Sequence, residues 1–314
     1  MGVVTRKPSE WRRFRGLDGA VLAMMILGAA GCTDRAPAPS PAPSPSPSAF
    51  PALPPPPVST SSADCTVTAF EAPARVNALT LSGLAWAPFR RDELGWEVYA
   101  PLLARELGTA CEPTSSRFAH LLAGFQERFR LKGTGEMDAV TFNVFKGVWQ
   151  ERRPFVMINV NGYCPPPPDP ATLAIAAPDE SYGGKTIPMR PAALDAYRKM
   201  VAAAKQVPAI AEDSRNLTIF SGFRDPDADA ARCVTEGNCD GVVRATCSPH
   251  RTGLALDLYV GQAPGYGPDS SADPNRLHMS TTPTYRWLLA NAHRFGFVNY
   301  PFEPWHWEWI GQAP

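Results

Sequence analysis

The stretches Ser248-Pro-His-Arg-Thr-Gly-Leu-Ala-Leu-Asp257 and Glu303-Pro-Trp-His306 hold four residues whose types and spacing could do chemistry. A catalytic zinc site takes about three protein ligands and keeps one position open for water. His250, Asp257 and His306 would supply two imidazoles and one carboxylate oxygen. Zn2+ is therefore the implied cofactor, and it lowers the pKa of bound water to about 7. Glu303 precedes His306 by three residues and is the kind of group that takes a proton from such a water. Any one of these side chains alone would read as an ordinary satisfied polar group. The set of four reads as metal-assisted hydrolysis.

These residues need elements to hold them. Gly253 permits a tight turn behind His250. Leu254–Val260 alternates as a strand, with Leu254, Leu256 and Leu258 on one face and Ala255 and Asp257 on the other. Leu217–Phe220 predicts a second strand, entering Ser221-Gly-Phe-Arg-Asp225. Pro191–Gln206 predicts a helix with proline at its first position and Leu194, Tyr197, Val201 and Ala204 as its buried stripe. Thr282 would cap another helix that starts at Pro283 and ends at Gly296. Residues 226–247 read as an irregular insertion pinned by cysteines, and 261–280 as a long loop. His278, in that loop, and His293, in the helix after it, have no spaced partner and read as structural or solvated.

Through Ser221-Gly-Phe-Arg224, Ser248-x-His250-x-x-Gly253-x-Ala255-x-Asp257, Trp287–Phe297 and Glu303-Pro-Trp-His306, residues 160–314 resemble the zinc D-alanyl-D-alanine carboxypeptidases of the vancomycin-resistance type. That resemblance implies an α+β catalytic domain, a small antiparallel sheet with helices, preceded here by a small mostly α domain. It implies zinc on His250, Asp257 and His306, with Glu303 as general base. Arg224 would steady the negative oxygen of the tetrahedral intermediate or hold the substrate carboxylate, and Ser221 and Ser248 would shape the pocket. The implied reaction removes the terminal D-alanine from peptidoglycan stem peptides. Alternatives are an L,D-carboxypeptidase or a peptidoglycan endopeptidase on the same zinc site, or a non-catalytic wall-binding lipoprotein. Three features depart from the family pattern. Phe223 stands where tyrosine is usual, Glu308 adds an acid near the metal region, and the insertion carries Cys233 and Cys239.

Upstream, residues 64–153 read as mostly helical, with apolar steps of three and four residues over 96–107 and 116–129. Phe125-Gln126, Gly133-Thr-Gly135, Met137-Asp138 and Thr141 resemble the three-helix peptidoglycan-binding module, though a helical packing domain would look the same. His120 reads as a packed or surface histidine. Residues 33–63 form a proline-rich linker. At about 3.1 Å per residue, roughly 25 residues of polyproline II would span on the order of 75 Å. Residues 1–32 combine Arg6, Lys7, Arg12, Arg13 and Arg15 with the apolar run 20–30, as in an export signal. Leu27-Gly-Ala-Ala-Gly-Cys32 resembles the bacterial lipoprotein box, with Ala29 where leucine is more usual. Cys32 would then carry the lipid that holds the exported protein on a membrane; an ordinary secretory signal is the alternative.

The chain has 314 residues and seven cysteines. Setting Cys32 aside leaves an even set of six, which in an exported chain points to disulfides. Cys233–Cys239 is the first expected pair and Cys65–Cys111 the second. With 30 basic and 30 acidic residues the net charge is +0, and no field recruits nucleic acid. Nothing in the sequence sets an oligomeric state.

Overall fold

Local chemistry explains the upstream helices. The computed structural model describes residues 65–237, 239 and 247–314; the expected signal, Cys32 and the whole of the linker lie outside those residues. Helix α1 (Glu71–Gly83) leads into a short hairpin, β1 (Ala85–Trp86) and β2 (Glu93–Leu94). Helix α2 (Ala100–Leu107) has proline in its first turn and stops at Gly108, which takes the left-handed conformation. Helix α3 (Ser116–Arg128) starts where the Ser115 side chain accepts from Phe118 N, and α4 (Ala139–Glu151) where Asp138 accepts from Thr141 N. Phe125 of α3 stacks on Phe145 of α4 with ring centroids 3.6 Å apart. A short helix α5 (Pro154–Asn159) closes the segment.

The polar residues of the Phe125–Thr141 segment are satisfied from within. Gln126 Nε2 donates to Thr134 Oγ1, Glu136 O and Thr141 Oγ1, and its Oε1 accepts from Gly135 N. Asn77 of α1 donates to Gly135 O and accepts from Met137 N. Gly135 has φ +72, and a Cβ there would sit 2.6 Å from Ala119 O. These residues tie three helices to one turn. His120 is exposed and packs against the Phe70 ring.

Beyond 160, the pair β3 (Ala174–Ile175) and β4 (Pro188–Met189) leads to α6 (Pro191–Ala204), where Leu194, Tyr197 and Ala204 are buried as the stripe predicts. After α7 (Pro208–Ala211) come β5 (Ile219–Ser221) and α8 (Pro226–Glu236). Strand β6 (Ala255–Leu258) is followed by α9 (Asp273–Thr281), α10 (Pro283–Asn291), β7 (Phe297–Asn299) and β8 (His306–Trp309). The sheet is antiparallel in the order β5-β6-β8-β7. This is the expected α+β arrangement.

Thr282 caps α10 by accepting from Tyr285 N, as the sequence predicts. Two stretches differ from expectation. Residues 226–236, expected to be irregular, form α8, because Asp225 accepts from Asp227 N and Ala228 N and Pro226 occupies the first turn. Residues 273–280, expected as the end of a loop, lie in α9, which places His278 in a helix; its polar sequence hides a buried side made by Asn275, Arg276, Met279 and Ser280. His293 falls in the single turn after α10. Both expected disulfides are present, and Cys164–Cys247 completes the set.

The described residues all belong to one compact unit, Leu53–Pro314. One hydrophobic core runs from Trp96, Phe118 and Phe142 through Tyr197 and Leu256 to Trp307. Among these residues no helix is long and apolar enough to cross a membrane. Because Gln126 is buried and its amide is bonded at both ends, Gln126→Leu strands the Gly135 N–H and should lower stability in urea titration by about 1–3 kcal/mol.

Candidate metal centre

Strand pairing brings the predicted ligands together. In the β6–β8 register Asp257 lies opposite His306, and Leu256 opposite Trp307. Alternation puts Asp257, His306, Ala255 and Glu308 on one face and the Leu256–Trp307 pair on the core face. Ser221 of β5 pairs with Asp257, and a bulge between Ile219 and Ser221 bends that strand where it meets the site.

Glu303 and His306 are carried by two linked turns. Glu303 N donates to Tyr300 O and His306 N to Glu303 O. Pro301 and Pro304 each stand second in their turn, where the fixed φ of proline favours the bend. Asn299 Nδ2 donates to Glu303 O and His306 O, closing the pair of turns from β7. Tyr285 OH in turn donates to Asn299 Oδ1.

His250 sits in the single helical turn Pro249–Thr252. The Ser248 side chain caps this turn, and Gly253 ends it at φ +69. Arg190 staples the turn through donations from its Nε to Thr252 O and its N to Gly253 O. Cys164–Cys247 anchors the chain just before it. His250 Nδ1 lies 2.7 Å from Gly222 O; donating there leaves Nε2 as the free lone pair. Gly222 cannot be larger, since a Cβ would come 2.7 Å from Pro188 O.

The donor atoms converge. His250 Nε2 is 3.1 Å from His306 Nδ1 and 3.2 Å from Asp257 Oδ1, and His306 Nδ1 is 2.9 Å from the same oxygen. All three side chains are buried, and among the described residues they form a group able to hold a metal ion. Ligands about 2.0–2.1 Å from a tetrahedral zinc lie about 3.3 Å from one another, so spacing and donor types fit zinc. Glu303 Oε2 stands 3.9 Å from His306 Nδ1.

Arg224 lies at the edge of this group. Its N donates to His250 O and its Nη2 to Ser248 Oγ at 3.3 Å, while Nε is 3.6 Å from Asp229 Oδ2. Ser248 therefore acts in the turn and on Arg224, and Ser221 enters through its register with Asp257. Phe223 follows Gly222, and its N donates to Pro188 O.

Glu308, out of place in the sequence, has a partner. Its Oε1 is 3.2 Å from His306 Nε2 and accepts from Arg153 Nε at 2.9 Å and from Arg153 Nη2. Arg153 precedes α5, far upstream, and no sequence signal tied it to the site. Asn299 also went unrecognised, and Gly222 entered only as part of the Ser221–Arg224 motif. An asparagine immediately before the Tyr-Pro turn was the one available hint.

The local field differs from residue to residue. Burial and the Arg224 charge lower the His250 value. Burial would also lower His306, but hydrogen bonds to Asp257 and Glu308 outweigh it and lift it to about 9. Burial would raise Asp257 and Glu308, yet both stay low: the His250 and His306 contacts hold Asp257 well below the usual carboxylate range, and the Arg153 charge does the same for Glu308. Glu303 is raised by burial to about 7. A carboxyl of that kind can take and return a proton near neutrality.

A fold of antiparallel sheet and helices with two buried histidines, a buried aspartate and a half-buried glutamate beside them defines a candidate metallohydrolase. Residues 186–312 match the VanY family model, D-alanyl-D-alanine carboxypeptidase. The resemblance read from the sequence holds for that segment. The match supports a carboxypeptidase of the peptidoglycan cell wall, and so an exported protein, which suits the three disulfides. Among solved structures, that of the LdcB LD-carboxypeptidase is similar at 24% identity, covering 46% of this chain and 70% of that chain with a TM-score of 0.33. No curated protein matches the chain.

A metal ligand must be unprotonated at its donor atom. With His306 lifted to about 9 in the metal-free protein, zinc loading at pH 7 should displace about one proton. Apparent affinity should then fall as pH drops below 9, by up to about tenfold per unit. Calorimetry in buffers of different ionisation enthalpy reads the proton count; none released would show His306 already neutral.

Proposed function

We propose that the protein is a zinc-dependent D-alanyl-D-alanine carboxypeptidase that removes the terminal D-alanine from peptidoglycan stem peptides. The observation that carries this is the convergence of His250 Nε2, Asp257 Oδ1 and His306 Nδ1 beside Glu303, all within the segment that matches the family. His250, Asp257 and His306 would hold zinc, which when bound polarises a carbonyl and acidifies water. Glu303 takes the proton from the attacking water and returns it to the nitrogen of the departing D-alanine. The Arg224 guanidinium, a rigid fork of donors, binds the negative charge of the substrate, either its terminal carboxylate or the oxyanion that forms during attack. Ser248 orients that arginine through Nη2, and Ser221 borders the pocket on the opposite strand.

The rest of the chain fits a tethered wall enzyme. Residues 1–32 would direct export and leave Cys32 lipidated on a membrane, and residues 33–63 would act as a spacer. Residues 64–153 would form a helical domain for peptidoglycan, and 160–314 the peptidase domain.

Mass spectrometry of muropeptides incubated with the mature protein should show loss of one terminal alanine from pentapeptides. Chelation should stop this and zinc restore it. Glu303→Ala should lower turnover about 10²–10⁴-fold while one zinc stays bound. Near-normal turnover in that variant would contradict the role of Glu303. Trimming of tetrapeptides alone would assign L,D specificity, cleavage within crosslinks an endopeptidase, and zinc binding without any turnover a wall-binding lipoprotein.

A further inference from the structure

The segment that matches the family begins at residue 186, yet one charged side chain from before it reaches the metal ligands. Arg153 is buried, 5% exposed, at the start of α5. Its Nε and Nη2 both donate to Glu308 Oε1, its Nη1 donates to Gln150 Oε1 at 2.6 Å, and its guanidinium lies over the Tyr300 ring at 4.4 Å. All three guanidinium nitrogens donate and one face is covered by an aromatic ring, so the group is held from several sides. Glu308 is equally buried and stands opposite Ala255 in the β6–β8 register. The small side chain of Ala255 leaves space on that face for a carboxylate.

The same Glu308 oxygen that Arg153 grips lies 3.2 Å from His306 Nε2. A neutral imidazole carries one N–H and one lone pair. Giving the N–H at Nε2 to Glu308 puts the lone pair at Nδ1, the atom that faces Asp257 and His250. Carboxylates that accept from the second nitrogen of a ligating histidine fix its tautomer and ring angle. Here the carboxylate is itself fixed by the arginine. We propose that Arg153 is a positioning residue of the zinc centre, supplied by the helical segment, so that zinc affinity depends on how that segment docks. This rests on the zinc reading of His250, Asp257 and His306 given above.

A buried ion pair between segments could instead serve stability alone. The two roles separate by measuring zinc affinity of the full mature chain in competition with a chromophoric chelator, together with the ligand-field absorption of the cobalt-substituted protein. Arg153→Met should weaken zinc binding about 10–100-fold and shift the cobalt bands, and Arg153→Lys should recover part of both. Glu308→Gln should weaken binding in the same direction. Arg152→Ala, which removes an exposed pair with Glu106, should change neither readout. Should Arg153→Met fail to fold, Arg153→Lys and Glu308→Gln decide the matter, since both keep the site filled. Folded variants with wild-type zinc affinity and cobalt spectrum would overturn the positioning role and leave the zinc centre standing. A wild-type chain that binds no zinc would overturn both.

Discussion

The pairing of Asp257 with His306 across two antiparallel strands is the constraint on which the rest depends. Side chains directly opposite on one face of such a pair sit about 4.5–5.5 Å apart at Cβ, close enough for an aspartate oxygen and an imidazole nitrogen to share one small space. A slip of one residue would turn both into the core and bring Leu256 and Trp307 to the site. Bulky apolar residues on the opposite face, Leu256 and Leu258 on β6 and Trp307 on β8, are what make that slip costly. The register that builds the core thus also builds the donor group, and Glu308 follows on the same face because it is two residues from His306.

Two buried arginines then connect this sheet to the upstream helices. Arg153 meets Glu308, as described. Arg276 of α9 is fully buried and donates to Phe302 O from the turn that carries Glu303. It also pairs with Glu93 of β2, donates to Tyr99 and lies over the Phe302 ring at 4.1 Å. Buried charges are costly unless every donor is met, and removing one partner of such a pair typically costs about 3–5 kcal/mol. The hairpin adds apolar contacts, with Phe89 against Tyr300 and Phe302. The turn bearing Glu303 is therefore gripped from both sides of the core.

Much of the site was legible in the sequence because local rules write it. The Gly253 turn, the leucine alternation through Leu258 and the spacing of Glu303 and His306 each act over a few residues, whereas the capping role of Ser248 emerged only from the fold. The helix over 226–236 was missed because proline and three aspartates look like loop until Asp225 is seen as its cap. Helix α9 was missed because its buried side is mostly polar, made of Asn275, Arg276 and Ser280 beside Met279, and Arg276 is met by the distant Phe302 O, Tyr99 and Glu93. Arg153 was invisible for the same reason: its partner lies 155 residues away, and no periodicity encodes such a contact. Glu308 could be flagged as an extra acid from sequence, but only the fold supplies its counter-charge.

X-ray absorption at the zinc edge of the mature protein probes the convergence of His250, Asp257 and His306 most directly. One zinc per chain with only nitrogen and oxygen neighbours at about 2.0–2.1 Å, and the outer-shell signature of two imidazoles, is the predicted result. A sulfur neighbour, fewer than two imidazoles or no retained zinc would contradict it.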